Sequence, residues 1–320
     1  MSTTIARRAA DYDGHRVTVA AADGVPLAVR VFGADDAPAT VVFVHGHCLR
    51  SDSWSYLRDQ LLRQWRSDTR MVFYDHRGHG ASGAGHPSTY TIDQLGHDLD
   101  TVLRTIAPTG PVILVGHSMG AMVVLAYARL YPEAIGTRIA GVGLLAGASN
   151  GITEAGLARF LNRRAVSSLQ AAVTRAPRVM QASKRLTRRL VAPVLREANF
   201  GTGKVNPRMA ALATAMLNDT PLLTMCSFLH SLLAFDETAT LHRLGAIPAL
   251  VLAGSADILV PFAHSVALAS QLAGSELVRL EGAGHSVMLE RAEEVALSIV
   301  GLIERAFATM RATADYAAAG

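Results

Sequence analysis

The sequence predicts an α/β protein with a doubly wound, mostly parallel sheet. Three observations carry the prediction: short apolar runs without polar alternation, amphipathic stretches between them, and a Gly-x-Ser-x-Gly turn joining one such run to the stretch that follows. The first strands differ from the rest. Arg16–Ala20 and Leu27–Phe32 alternate in polarity around the turn-prone Ala22-Asp23-Gly24, which reads as an opening hairpin. Val41–Val44, Met71–Tyr74, Val112–Val115, Val142–Leu145 and Ala249–Leu252 do not alternate, as strands covered on both faces require, and Glu276–Leu280 is a last strand-like run. Tyr56–Trp65, Thr91–Ile106, Met119–Tyr131, Ala263–Leu272 and Ala292–Phe307 space their apolar residues as helices packed on a sheet do. Alternating strands and helices with right-handed crossovers give parallel neighbours. The alanine-rich Arg311–Gly320 is expected to fray.

Half of the 320 residues are apolar, which suffices for a large core and suits one α/β domain with an insertion as well as two domains. Met1–His15 carries charges and no apolar stretch of signal-peptide length, and no later segment approaches a membrane span, so a soluble cytoplasmic protein is expected. Cys48 and Cys226 are too few and too isolated for a disulfide framework or a zinc site and read as reduced thiols. The net charge of +4 conceals an asymmetry: Gly151–Arg208 holds twelve Lys and Arg against Glu154 and Glu197, a net +10, which leaves the remainder at −6. A segment so foreign in composition reads as an insertion.

The turn Gly116-His117-Ser118-Met119-Gly120 follows an apolar run and precedes a helix-like one, the context in which a G-x-S-x-G serine is held in a strained conformation with its hydroxyl above the strand end. Such a serine needs a base, since a neutral hydroxyl is a weak nucleophile. His285 is the best placed of twelve histidines, in the glycine-rich loop Glu281–Ser286 directly after the last strand-like run. The base needs a carboxylate in turn, and Asp257 lies in the loop beyond the preceding strand. Asp257 has a plainer reading too, as a cap for a helix starting near Pro261. The position after the sixth strand, Gly147-Ala148-Ser149-Asn150, offers no carboxylate, and Asp236 and Asp98 read as a helix cap and a solvated face. His45 and His117 read as structural groups in tight turns. His76 and His79 beside Asp75 have metal-ligand chemistry, but neither a metal nor another cofactor is expected.

With Ser118, Asp257 and His285 in that order, and with His45-Gly46-His47, Asp75–Ser82, Gly254–Asp257 and Gly282–His285 on successive loops, the chain resembles the α/β-hydrolase fold superfamily over nearly its whole length. The resemblance implies a sheet of about eight strands and a helical lid inserted after the sixth. Residues 1–148 and 235–310 would then form the core, 149–234 the lid and 311–320 a flexible tail. It also implies an oxyanion hole from the backbone N–H groups of Met119 and His47. Relatives often carry glycine or an aromatic residue at the latter position, so the His47 side chain is left with two readings, substrate contact or packing. Relatives that open epoxides or displace halides carry aspartate at the elbow, whereas serine implies acyl transfer: hydrolysis of an ester, thioester or activated amide, with an esterase or lipase acting on a small-molecule ester as the leading reading. Perhydrolases, carbon–carbon bond hydrolases and non-catalytic ligand-binding members share the arrangement.

The basic insertion keeps three readings. Leu186–Arg196 sets arginines among aliphatics at helical spacing and Met209–Leu217 adds an apolar stripe, so the segment suits an anionic membrane surface, long-range attraction of a negatively charged substrate, or a merely solvated exterior. Nucleic acid is disfavoured because no aromatics interleave with the charges to stack bases.

Overall fold

The computed structural model describes residues 14–64, 69–152, 154, 156, 163–203 and 205–319. Residues 1–13, Trp65, Arg159, Lys204 and Gly320 of the features above lie outside the described residues, as do the side chains of residues 163, 185, 188–195 and 314–319. Eight strands form one sheet in the order β1-β2-β4-β3-β5-β6-β7-β8. Strands β1 (His15–Ala20) and β2 (Pro26–Phe32) are the expected hairpin, in register from His15 opposite Val31 to Ala20 opposite Pro26. β2 also pairs antiparallel with β4 (Thr69–Tyr74). Every other pairing is parallel, through β3 (Ala39–Val44), β5 (Val112–His117), β6 (Ile139–Leu145), β7 (Ala249–Gly254) and β8 (Glu276–Leu280).

The unalternating runs have a direct cause, because both faces of the central strands are buried. Val41, Phe43, Phe73, Val115 and Leu252 pack on α1 (Ser55–Gln64) and on a long C-terminal helix, while Val42, Val44, Val72, Leu114 and Val251 face α2 (Ile92–Ile106) and α3 (Met119–Leu130). α3 is buried from Met119 through Ala128, since it lies between the sheet and α2. That explains why its sequence is apolar on all sides rather than striped.

After β6 the described residues form α4 (Arg163–Arg175), α5 (Pro177–Asn199), α6 (Pro207–Asp219) and α7 (Leu222–Leu233) before the chain returns to the sheet. Pro177 and Pro207 each begin a helix, where a missing N–H costs nothing. α7 joins the core through Phe228 and Leu232, and α4 packs along α7. The chain then returns through α8 (Leu241–Leu244), β7, α9 (Phe262–Ser270), β8, α10 (Val287–Glu290) and α11 (Ala292–Ala319). α11 is longer than the apolar spacing indicated. Arg311–Ala319, expected to fray, continues it, because alanine sustains a helix without tertiary contacts better than any other residue. Among the described residues no helix is long and apolar enough to cross a membrane.

Candidate active site

The turn after β5 is built by steric necessity. Ser118 sits at φ 55°, ψ −118°, outside the ordinary regions for a residue with a side chain, at a cost of about 1–3 kcal/mol. Its neighbours must be glycine because of close approach rather than φ: a Cβ on Gly116 would collide with the Gly120 carbonyl, and one on Gly120 with the Val44 carbonyl. The turn is held by hydrogen bonds from Ser118 N–H to the Leu145 carbonyl (2.8 Å) and from Ala121 N–H to the Ser118 carbonyl (2.9 Å).

Ser118, His285 and Asp257, far apart in sequence, form one hydrogen-bonded chain. The Ser118 hydroxyl is 2.9 Å from His285 Nε2, and His285 Nδ1 is 2.7 Å from Asp257 Oδ2. A carboxylate only accepts, so Nδ1 carries the proton and Nε2 is free to accept from the serine. Asp257 is not the cap of α9, whose N-cap is Pro261 with no side-chain bond. Its Oδ1 accepts from Leu259 N–H (2.8 Å) and Val260 N–H (2.9 Å), closing the turn before α9, and its other oxygen holds the imidazole. Asp257 and His285 are buried and Ser118 is half-buried.

The loop carrying His285 is pinned from three sides. His117 Nε2–H donates to the His285 carbonyl (2.9 Å), and Ser286 N–H donates to the Asn199 carbonyl (2.8 Å). Glu290 accepts from Gly284 N–H (3.0 Å) and from Gly201 N–H (2.9 Å), tying the loop to the connection between α5 and α6. Burial raises the Glu290 carboxyl above its ordinary range, against the pull of those two N–H groups. Glu290 escaped the sequence reading. Its signal is weak, a carboxylate five residues past the loop histidine, and its role depends on a chain reversal that the sequence does not display.

Met119 and His47 flank the serine. Met119 begins α3, so its N–H points from the positive end of the helix. A Cβ on Gly46 would stand 3.1 Å from Ser118 Cβ and 2.9 Å from His117 Nδ1, which brings the backbone before His47 against the turn. Among the described residues neither N–H has an acceptor. The His47 ring packs edge-on to His79 and Phe228, with centroids 6.0 and 6.1 Å away, and burial pulls it down to about 3, helped by His79.

Beneath this turn the histidines serve as hydrogen-bonding spacers. His45 Nδ1–H donates to the Gly46 carbonyl (2.8 Å) while its Nε2 accepts from His76 N–H (3.0 Å), and His76 Nε2–H returns a bond to the His45 carbonyl (3.0 Å). His79 Nε2 accepts from Cys48 N–H (3.2 Å). Burial lowers His45 to about 4 and His79 and His117 to about 3, and it drives His76 well down as well, so these rings are neutral at pH 7. Asp75 spends its oxygens on Ser51 N–H (2.7 Å) and Ala81 N–H (2.8 Å). Asp98 departs from expectation. It is not on a solvated face but buried, at 2.6 Å from both the Nε and an Nη of Arg77, whose side chain is 0% exposed. A buried guanidinium requires counter-charge, and Asp98 and Asp23 supply it. A cavity of about 810 Å³, bordered by Arg16, Arg30, Arg50 and Ser82, lies apart from the site, since neither Ser118 nor His285 lines it.

Residues 41–297 match the model of a family described as the alpha/beta hydrolase family. Among curated proteins the chain is similar to a proline iminopeptidase, PfmaB, of Pestalotiopsis fici, with 27% identity over 88% of this chain and 98% of that protein. It is similar also to a monoacylglycerol lipase of Mycolicibacterium smegmatis, with 28% identity over 87% of this chain and 92% of the lipase. Among solved structures, a thermophilic esterase from Thermogutta terrifontis superposes with a TM-score of 0.72 at 22% identity, covering 91% of this chain and 99% of the esterase. An esterase from Exiguobacterium antarcticum gives 0.73 at 19% identity, over 91% and 100%. At such identities the structural likeness concerns the fold.

Proposed function

The chain belongs to the alpha/beta hydrolase family, and on that footing we propose that it hydrolyses a carboxylic ester through an acyl-enzyme on Ser118. The observation that carries this reading is the hydrogen-bonded chain from Ser118 through His285 to Asp257 at a strained turn. In the first half-reaction Ser118 Oγ adds to the ester carbonyl as its proton passes to His285 Nε2, and Asp257 stabilises the imidazolium from the far side. The N–H groups of Met119 and His47 receive the oxyanion, an interaction worth about 10²–10³ in rate per donor. The tetrahedral adduct collapses, the alcohol takes the proton from His285, and the ester acyl group remains on Ser118. Water, deprotonated by the same imidazole, then releases the acid and restores the serine.

In this reading α4–α7 are the lid, and α7 borders the site by setting Phe228 and the Met225 backbone against the His47 ring. A monoacylglycerol lipase among the relatives favours an ester, while the iminopeptidase relative makes a prolyl amide the natural competitor. Turnover of p-nitrophenyl esters of graded chain length, run beside prolyl p-nitroanilide, tests the reading. Ester release lost in Ser118→Ala supports it. Ester release equal in parent and variant, or turnover confined to the prolyl amide, overturns it.

A further inference from the structure

Among the described side chains of α5, Gln181 and Lys184 turn inward and Ala198 is buried near the helix end: Gln181 Oε1 accepts from Leu222 N–H (2.9 Å), and Lys184 Nζ donates to the Leu217 carbonyl (2.8 Å) and to the Asn218 and Thr220 carbonyls at the end of α6. The outward face of α5 carries Val179 and Leu186, two helical turns apart and 68% and 84% exposed, where a globular helix places polar groups. On the adjoining α4, Leu169 is 38% exposed. Arg175, Arg178 and Arg196 stand exposed around these aliphatics, within the segment whose net charge is +10. Arg178 further borders a groove of about 560 Å³ lined by Pro177, Ala182, Pro221, Leu222 and Leu223.

We propose that the outer face of α4–α5 docks on an anionic lipid surface. The aliphatics enter the head-group boundary, the arginines meet lipid phosphates, and the two polar anchors hold the helix so that its apolar side stays outward. Charge sets the choice of occupant. A basic face on a body of net −6 is drawn to an anionic bilayer, and the rest of the molecule, being acidic, is repelled from it, which orients the docked protein with the insertion towards the lipid. Should the ester reading above hold, docking would bring acyl lipids to the insertion which that reading takes as the lid.

The test is co-sedimentation of Ser118→Ala protein with sonicated vesicles, so that binding is read apart from hydrolysis. Vesicles of phosphatidylglycerol and phosphatidylcholine in equal parts should bind the protein at 50 mM salt at least tenfold better than pure phosphatidylcholine, and 500 mM salt should abolish the difference. Leu186→Ser with Val179→Ser, and separately Arg178→Glu with Arg196→Glu, should each weaken binding about tenfold while leaving the melting temperature unchanged. Equal binding to the two vesicle types, no binding at low salt, or a dimer in analytical ultracentrifugation that Leu186→Ser dissociates would overturn the proposal, the last by assigning the face to a second copy of the chain.

Discussion

The loops at the C-terminal end of the sheet and the four inserted helices lie side by side yet follow opposite rules. In the loops buried polar groups bond one another and the backbone: His45, His76, His79 and His117 bond backbone atoms, Asp75 and Asp257 accept paired N–H groups, and Arg77 is closed off by Asp98 and Asp23. In the insertion α5 is tied through polar side chains such as Gln181 and Lys184 and shows Val179 and Leu186 to solvent. On the proposed reading, the sheet end supplies rigidity and chemistry and the insertion a docking surface. Damage to the first region should therefore be severe in activity or stability, and damage to the second mild in both.

The largest effects fall on Ser118 and His285. Ser118→Ala and His285→Gln should each lower kcat/KM for p-nitrophenyl butyrate by about 10⁴ or more, and Asp257→Asn by about 10³–10⁴. A loss below tenfold in any of them would remove the distinction between the two regions. Next in size is the buried ion pair. Asp98→Ala leaves the buried Arg77 with Asp23 as its carboxylate partner and should cost about 3–5 kcal/mol in urea unfolding, whereas Lys184→Met, the corresponding cut in the insertion, should cost about 1–2 kcal/mol.

Acid should act on the loops before the insertion. The unfolded histidines titrate near 6.5, while the folded ones are held at about 4 for His45 and about 3 for His47, His79 and His117. Their folded values are depressed, so the unfolded chain binds more protons as pH drops. Stability is complete above about pH 7 and is lost between roughly 6.5 and 4, by up to about 1.4 kcal/mol per pH unit for each ring. Melting temperatures measured from pH 8 to 4 should fall steeply below pH 6, and a flat profile would contradict the neutral buried cluster. The smallest effect is expected at Leu186→Ser, within about 0.5 kcal/mol of the parent in unfolding.

The same contrast decides what the sequence could disclose. The strands were legible because burial on both faces leaves runs such as Val41–Val44 without alternation, and the turn was legible because its constraints lie within five residues. Asp257 and His285 follow strand ends, so chain order alone could nominate them, and they meet Ser118 as nominated. Glu290 and the Asp98–Arg77 pair were hidden because their partners come from elsewhere in the fold. The outward face of α5 was hidden for a different reason. Its periodicity shows that two faces exist, but only the bonds of Gln181 and Lys184 to α6 and α7 decide which one turns inward.

Ser118 as the nucleophile is the claim on which the rest depends, and a fluorophosphonate that adds to activated serines tests it most directly. Intact-mass spectrometry should find one phosphonyl group per chain, mapped to the peptide containing Ser118, absent in Ser118→Ala and formed at least a hundredfold more slowly in His285→Gln. No adduct on the parent protein, or an adduct that persists in Ser118→Ala, would contradict the account.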